Sequence, residues 1–263
     1  MKSWTKHIYW MVSVLVLAVS AVPTMGNLVG YWSFDDTANV GKDSSGYSNN
    51  LVSYGDATYA TDATRGTVLS LDGNGDYLGQ GASFPTGVPT GNESYTIALW
   101  YKYNGTTTAW VKYGLVSWGD TGTKLMNGFV YEGTNTIMNY WRGADLRAAM
   151  SGAVVDLDDG SWFHVAVTYD NATGSRNIYL NGLVVASDTQ SGGLIRNSNF
   201  AIGKDVGATA NFSGYMDDVV VYNSALSSTE VQDVMNGNII PEPATIALLL
   251  SGSMFTVLTK RKK

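Results

Sequence analysis

The sequence predicts an all-β domain, a two-sheet antiparallel sandwich or jelly roll, and three observations support this prediction. Short apolar or alternating runs recur along the chain between clusters of Gly, Asn, Asp and Ser, which is the pattern of strands and turns. Aromatic residues make up 12% and charged residues only 14% of the 263 residues, a composition that excludes a disordered chain. Residues 27–237 contain no 20-residue apolar run, charge block or internal repeat, which indicates a single domain.

The predicted strands are short and regularly spaced, as in a sandwich built from many antiparallel strands. In chain order they are Leu28–Phe34, Thr67–Leu71, Tyr95–Tyr103, Trp110–Trp118, Gly128–Tyr131, Thr136–Trp141, Trp162–Tyr169, Asn177–Ala186, Phe200–Ile202 and Tyr215–Tyr222.

The segment Asn177–Ala186 contains its own turn. Asn181-Gly182 lies between two apolar runs, and this dipeptide favours a type I′ turn because both turn residues must adopt positive φ. The segment is therefore predicted to form a β-hairpin.

One short helix, within Leu226–Met235, is predicted to close the domain. Ser227 and Glu230 have the spacing of a capping box, and Gly237 supplies a stop signal. Apolar residues along one edge would dock the helix on the sandwich, namely Leu226, Val231, Val234 and Met235.

Several motifs, in this order along the chain, resemble those of the bacterial LamG-like, concanavalin A-like jelly roll. The match covers about residues 28–237, and it implies two antiparallel sheets of six or seven strands with the termini close together. The motifs that carry the resemblance are Gly30-Tyr31-Trp32-Ser33-Phe34-Asp35 with Asp43-Ser44-Ser45-Gly46, Leu71-Asp72-Gly73-Asn74-Gly75-Asp76-Tyr77, Tyr95–Trp100, Trp162–Asp170, Tyr179–Gly182 and Gly214–Asn223 with Glu230.

Residues 1–26 have the layout of a secretory signal peptide. Lys2 and Lys6 precede an apolar stretch from about Ile8 to Val22, and small residues follow. Cleavage is expected after Ala21 or nearer Gly26. The alternative is an uncleaved membrane anchor, for which the apolar run is short.

The C-terminal end predicts a second export signal. A linker, residues 238–243, ends in Pro241-Glu242-Pro243, an apolar segment follows within residues 244–263, and the chain closes with four cations at 260–263. This arrangement resembles the PEP-CTERM sorting signal of Gram-negative bacteria. The resemblance implies transient anchoring in the inner membrane, recognition by an exosortase, and delivery to the cell surface or extracellular matrix. A simple tail anchor is the alternative.

The composition provides few side chains that could act in catalysis. There is no Cys, so a disulfide framework, a thiolate metal site and a Cys nucleophile are all excluded. The four Glu lack the spacing of the paired carboxylates that retaining glycosidases place on one strand. The cluster Asp156, Asp158 and Asp159 has the composition of a turn before a strand, and His164 is the only histidine outside the signal peptide. No catalytic residue is predicted.

A structural calcium ion is predicted near the last strand. Asp217 and Asp218 are adjacent in an apolar strand, so alternation would put one carboxylate on each face, and a buried carboxylate needs a cation or several donors. Calcium accepts carboxylate and carbonyl oxygens. The family resemblance implies a site formed by Asp217 with backbone near Asp35 and Gly46, and Asp36 and Asp43 are further candidates. Capping duty for Asp43 and strand-end hydrogen bonding for Asp217 are the alternatives.

Aromatic side chains are the remaining resource for ligand binding, because sugars bind by ring stacking together with planar polar groups. Most of the Trp residues, certainly Trp32 and Trp100, are expected to fill the core. The candidates for a ligand surface are Trp141, Tyr140, Arg142, Trp118 and His164.

The distribution of charge along the chain indicates which kinds of ligand the domain could bind. The whole chain has a net charge of −6, but six of its 16 cations lie in the two export segments, which leaves ten cations against 22 acids, a net −12, in residues 27–243. Such a domain does not suit nucleic acid, and it favours neutral glycans. The sequence therefore predicts a non-catalytic exported module for carbohydrate recognition or adhesion. A divergent polysaccharide hydrolase or lyase and a purely structural surface protein are the alternatives.

Overall fold

Strands dominate the computed structural model of the chain, which describes residues 26–150, 155–206 and 210–239. The strands are β1 (Leu28–Trp32), β2 (Val52–Tyr54), β3 (Thr58–Asp62), β4 (Gly66–Asp72), β5 (Tyr77–Gly79), β6 (Tyr95–Tyr103), β7 (Lys112–Gly119), β8 (Met126–Glu132), β9 (Thr136–Tyr140), β10 (Leu146–Ala149), β11 (Phe163–Tyr169), β12 (Ser175–Leu180), β13 (Leu183–Thr189), β14 (Ala201–Ile202) and β15 (Ser213–Tyr222), and the helix is α1 (Ser228–Met235).

These strands form two antiparallel sheets, which confirms the predicted jelly-roll sandwich. The eight-stranded sheet has the order β13-β12-β11-β6-β15-β4-β3, with β1 paired to β15, and the seven-stranded sheet has the order β10-β9-β8-β7-β14-β5-β2. The pairing of Leu28 with Tyr222 brings the two ends of the domain together, as expected. One sheet is a strand larger than the six or seven implied by the resemblance.

The core lies between the sheets and follows strand alternation. In β6 the side chains of Tyr95, Ile97 and Leu99 are fully buried in it, whereas Ala98 belongs to a second cluster on the outer face of the eight-stranded sheet. Helix α1 covers that outer cluster with Val231 and Val234.

The predicted hairpin and helix cap are both confirmed. Asn181 and Gly182 have φ values of 48° and 77°, as a type I′ turn requires. The Ser227 side chain accepts from the Glu230 backbone N–H, and the Glu230 carboxylate accepts from the Ser227 N–H, which completes the capping box.

Four strands were not predicted. β2, β5 and β10 have only three or four residues each, and β3 is largely exposed and polar, so none shows a readable apolar period. β3, β5 and β10 pair with strands that were predicted, and β2 pairs with β5 at the edge of the seven-stranded sheet.

The predicted export segments lie outside the described residues, apart from Gly26 and the start of the linker at residues 238–239. No helix in the described ranges has the length and hydropathy to cross a membrane.

A buried polar network joins the two sheets. Arg176, on the eight-stranded sheet, is fully buried and pairs with Asp188 at 2.7 Å. Its guanidinium also donates to Asn139 of the seven-stranded sheet at 3.1 Å. The same Asn139 oxygen accepts from the Tyr95 hydroxyl, which in turn accepts from the Trp141 indole N–H. The network thus fixes one sheet against the other in a region where an unpaired polar group is costly.

Replacing Arg176 is expected to destabilise the fold strongly. Arg176→Met would leave Asp188 and Asn139 without their buried donor, and the free energy of unfolding should fall by about 3–5 kcal/mol in urea titrations. Lys42→Met is the matched control, because it breaks an exposed ion pair with Asp36 and should cost at most about 1 kcal/mol. Equal losses in the two variants would contradict a special role for Arg176.

Candidate functional site

A groove of about 510 Å³ crosses the outer face of the seven-stranded sheet. Its walls come from β2, β5 and β7, from residues 120–121 after β7, and from β14 with the segments on either side of it. The residues that line it are Tyr54, Tyr77, Gly79, Gln80, Gly81, Ser117, Asp120, Thr121, Asn199, Phe200, Ala201, Lys204, Asp205 and Val206.

Two tyrosine rings form an aromatic platform in this groove. Tyr54 and Tyr77 are paired on neighbouring strands, and their rings stack with centroids 4.5 Å apart and planes 2° apart. Gly79 makes room for both rings, because a Cβ there would lie 2.9 Å from an edge atom of each. Tyr54 remains 38% exposed. Lys204 places its ammonium 4.3 Å from the centre of the Tyr77 ring.

The segment Gly203–Val206 lies directly on the sheet because the strands beneath it carry glycines. A Cβ at Gly114 would lie 2.0 Å from the Lys204 carbonyl carbon, and a Cβ at Gly128 would lie 2.8 Å from a carboxylate oxygen of Asp205. The Ser117 hydroxyl donates to the Lys204 carbonyl at 2.7 Å and holds the segment down.

Asp205 is a buried carboxyl group on the wall of the groove. It is 2% exposed, and its Oδ1 has no hydrogen-bond partner within the described structure. Burial raises the pKa of Asp205 to about 7, against an opposing effect of the nearby Lys112 ammonium. The protonation of Asp205 therefore changes near neutral pH.

The opposite rim of the groove presents polar groups in fixed positions. Asp120 accepts from the Ser198 hydroxyl at 2.6 Å and from the Asn199 amide at 3.2 Å. The Gln80 side chain accepts from the Phe200 N–H at 2.8 Å. Such oriented polar groups beside an aromatic platform can hydrogen-bond a ligand while its apolar face stacks on a ring.

Of the predicted ligand residues, Tyr140 and Arg142 are accessible. Tyr140 is half-buried on the same outer face as the groove, and its Cβ and Asp205 both lie beside Gly128. Lys112 lies 4.8 Å from the Tyr140 ring centre. Arg142 is exposed in the turn between β9 and β10. Neither lines the groove itself.

Trp141, Trp118 and His164 cannot contact a surface ligand, because all three are buried. Trp141 follows Tyr140 and so points into the core, where it donates to Tyr95. Trp118 points inward as well and donates to the Pro89 carbonyl at 2.8 Å. His164 lies on the outer face of the other sheet against Trp100, and burial together with Arg65 lowers the pKa of His164 to about 3.

The expectation that Asp217 and Asp218 point to opposite faces is wrong. The register of β15 shifts after Asp217, and Asp218 has φ of 48°, so a β-bulge breaks the alternation. Both carboxylates bind the guanidinium of Arg65, at 2.7 and 2.6 Å. The Arg65 guanidinium lies 4.4 Å from the Trp100 ring centre. The cation that these carboxylates require is supplied by a side chain.

Two of the other predicted calcium residues already have partners of their own. Asp36 pairs with Lys42, and the carboxylate of Asp43 accepts from the Tyr31 N–H of β1 and from Ser45 and Asn49 of its own loop. Asp35 and Gly46 are exposed. The predicted set therefore does not fit a calcium site in this arrangement, and capping duty describes Asp43 better.

Two other acidic clusters are present. Asp56, Asp72 and Asp76 bring carboxylate oxygens within 4.8 Å of one another, but Asp76 already accepts two backbone N–H groups and the other two are exposed. Asp156–Asp159 form the predicted turn, in which the Asp159 N–H donates to the Asp156 carbonyl.

Sequence reasoning missed the groove because its residues are far apart in the chain. Tyr77 lies in a motif that was recognised, but Tyr54 belongs to an unpredicted three-residue strand. Nothing in the sequence indicates that these rings stack, or that Lys204 and Asp205 lie beside them.

Together, the two antiparallel sheets, one of which carries an open aromatic groove on its outer face, define a jelly-roll sandwich domain. A family model described as "Concanavalin A-like lectin/glucanases superfamily" matches residues 72–232. The chain therefore belongs to the concanavalin A-like lectin/glucanases superfamily. No curated protein matches the chain in sequence.

Solved structures show the same fold. Domain 4 of AbnA, a GH43 extracellular arabinanase from Geobacillus stearothermophilus solved in complex with arabinotriose, is 21% identical with a TM-score of 0.62 over 80% of this chain and 98% of that one. The binding domain of Paraclostridial Mosquitocidal Protein 1 is 19% identical with a TM-score of 0.63, over 81% of this chain and 52% of that one. The botulinum neurotoxin serotype G binding domain is 18% identical with a TM-score of 0.59, over 79% and 50%. The chain thus spans about half of these toxin domains.

The buried carboxyl of Asp205 predicts a specific pH dependence of stability. Because its pKa is about 7 in the fold against 3.8 ordinarily, the folded state holds a proton that the unfolded state releases between these values. Relative to Asp205→Asn, the wild type should lose stability as pH rises from about 4 to about 7, by up to roughly 4 kcal/mol. Asp217, present in both proteins, cancels in the comparison. Parallel curves of melting temperature against pH would contradict this assignment.

Proposed function

We propose that this protein is an exported, non-catalytic carbohydrate-recognition module of the cell surface or extracellular matrix. The stacked pair Tyr54–Tyr77 in the lining of an open groove is the observation that carries the proposal. Flat, amphipathic rings of this kind suit the apolar faces of sugar rings, and a groove of about 510 Å³ is in the size range of small-ligand sites.

The charges favour a neutral glycan. Lys204 is the single cation among the residues that line the groove, and Asp120 and Asp205 lie on its walls. The net charge of −12 between residues 27 and 243 would repel an anionic polymer. Carboxylate and amide oxygens on the walls would accept hydrogen bonds from sugar hydroxyls.

The similar structures support a carbohydrate ligand in general. The arabinanase domain was solved with arabinotriose, and a botulinum neurotoxin type C domain of the same fold, 18% identical with a TM-score of 0.52, belongs to a toxin whose cell entry depends on two ganglioside molecules. The mosquitocidal protein and serotype G structures are named as binding domains, which fits a module that recognises carbohydrate without acting on it.

The second part of the proposal concerns delivery. Residues 1–26 would direct export, and Pro241-Glu242-Pro243 with the apolar segment and terminal cations would hold the protein at the inner membrane for an exosortase. Signal peptidase and the exosortase are the partners of this stage. The domain would then face the exopolysaccharide outside the cell.

Export predicts two cuts in the chain. Expression in a Gram-negative host that has an exosortase should release a protein that begins between residues 22 and 27 and lacks the terminal cations 260–263, as measured by intact mass. Replacing Pro241 and Pro243 by Ala should leave the N-terminal cut unchanged and prevent the second. A secreted protein that retains its C-terminus would contradict the sorting proposal.

A hydrolase is the second candidate, because the groove holds two carboxyl groups, Asp120 and Asp205, and burial raises the pKa of Asp205 to about 7. Raised carboxyl pKa values are typical of general acids in glycosidases. Binding is the better proposal, because one carboxylate oxygen of Asp205 lies against Gly128. The Asp120 carboxylate already accepts hydrogen bonds from Ser198 and Asn199. Turnover of a polysaccharide that disappears in Asp205→Asn would reverse this preference.

The aromatic platform predicts the effect of one substitution on binding. Tyr54→Ala removes half of the stacked pair and should weaken the affinity for a neutral oligosaccharide, found on a glycan array and measured by calorimetry, at least about tenfold. Tyr59→Ala is the matched control, because Tyr59 is 44% exposed on the edge of the other sheet. Its affinity should match that of the wild type. No binding to any glycan would leave the structural alternative as the function.

A further inference from the structure

Three consecutive apolar residues are exposed at one edge of the eight-stranded sheet. Leu183, Val184 and Val185 are 66%, 46% and 37% exposed, and they begin β13, the outermost strand. A run of exposed aliphatic side chains on an edge strand is normally avoided, because it promotes association.

The turn that presents these residues is held in place. The Asn181 side chain accepts from the His164 N–H at 3.0 Å, and the Asn181 N–H donates to the His164 carbonyl at 2.8 Å. The register of β13 shifts at Val185, since Tyr179 pairs with Val184 and Ile178 with Ala186. This bulge interrupts the alternation of side chains along β13 at Val185.

The same turn lies against the end of the last helix. The Gln232 side chain donates to the Gly182 carbonyl at 3.2 Å, and Met235 lies 3.4 Å from the position of a Cβ on Gly182. The described chain ends four residues after Met235, at Ile239, and the apolar segment begins at Ala244. Five residue steps from Ile239 to Ala244 span at most about 18 Å. A membrane-inserted tail would therefore hold this end of the domain close to the bilayer.

We propose that residues 181–185, which we call the hairpin tip, contact the lipid surface while the C-terminal segment is inserted in the membrane. The hairpin tip contains no charged residue, whereas residues 27–243 together carry a net charge of −12. Its aliphatic side chains can enter the boundary between headgroups and acyl chains without burying a charge. This inference rests on the proposed membrane role of the C-terminal segment, and it adds a defined orientation in which the domain sits during sorting.

The absence of Cys from the chain permits a direct test with single labels. In the protein that lacks residues 1–26, as signal peptidase would leave it, and that keeps its tail, Leu183→Cys and Tyr59→Cys would each be labelled with an environment-sensitive nitrobenzoxadiazole probe and reconstituted into phosphatidylethanolamine–phosphatidylglycerol vesicles. Tyr59 lies on β3, at the opposite edge of the same sheet, and is the matched control. The probe at 183 should shift to shorter emission wavelengths and be quenched by spin-labelled lipid, and the probe at 59 should do neither.

The outcomes separate the two proposals. If the protein floats with the vesicles but the two probes behave alike, the hairpin contact is wrong and the tail proposal stands. If the protein does not float with the vesicles, the membrane role of the tail fails and the contact fails with it. A blue shift at 183 that requires high protein concentration and no lipid would show that a second copy covers the tip, which also overturns the proposal.

Discussion

The buried network around Arg176 is the interaction on which the arrangement of the two sheets depends. A guanidinium removed from solvent needs a counter-charge and hydrogen-bond acceptors, and here Asp188, Asn139 and the Ala144 carbonyl accept four hydrogen bonds from it. Because Asn139 also binds Tyr95, the network fixes the lateral position of β9 relative to β6 and β12. Apolar contacts supply most of the driving force for folding, but they are not directional. The polar network supplies the directional contacts that apolar packing lacks.

With the interior fixed in this way, the two outer faces take different roles. The outer face of the eight-stranded sheet is covered by α1 at one end and filled by Arg65 between acidic and aromatic side chains at the other. On the seven-stranded sheet, glycines at positions 79, 114 and 128 project no side chain from the outer face. Two tyrosine rings and the Gly203–Val206 segment can therefore lie directly on the backbone. A groove exists on this face because small residues leave space that other side chains fill only in part.

The Arg65 cluster shows why a predicted metal site and an observed ion pair can share the same sequence signal. Adjacent aspartates in a buried strand demand positive charge, and the sequence indicates that demand without indicating its source. Here Arg65, 152 positions away from Asp217, meets both carboxylates because a bulge in β15 turns Asp218 to the same side. The demand for charge was predicted correctly, whereas the expected position of each carboxylate was not.

The sequence by itself determined most of the strand framework, the hairpin at Asn181-Gly182 and the Ser227 cap, because each depends on local periodicity or on residues close together in the chain. The superfamily followed from the resemblance of its motifs to a known family. It did not determine which aromatic residues are exposed. Trp141 and Tyr140 are neighbours with similar chemistry, yet one lies in the core and the other on the surface, and only strand phase and the Tyr95 hydrogen bond decide between them. The candidate site was decided entirely by tertiary structure, since strand pairing brings Tyr54 to Tyr77 and chain crossing brings Lys204 and Asp205 beside them. Long-range juxtaposition of this kind follows from sheet order, which no single segment of the sequence specifies.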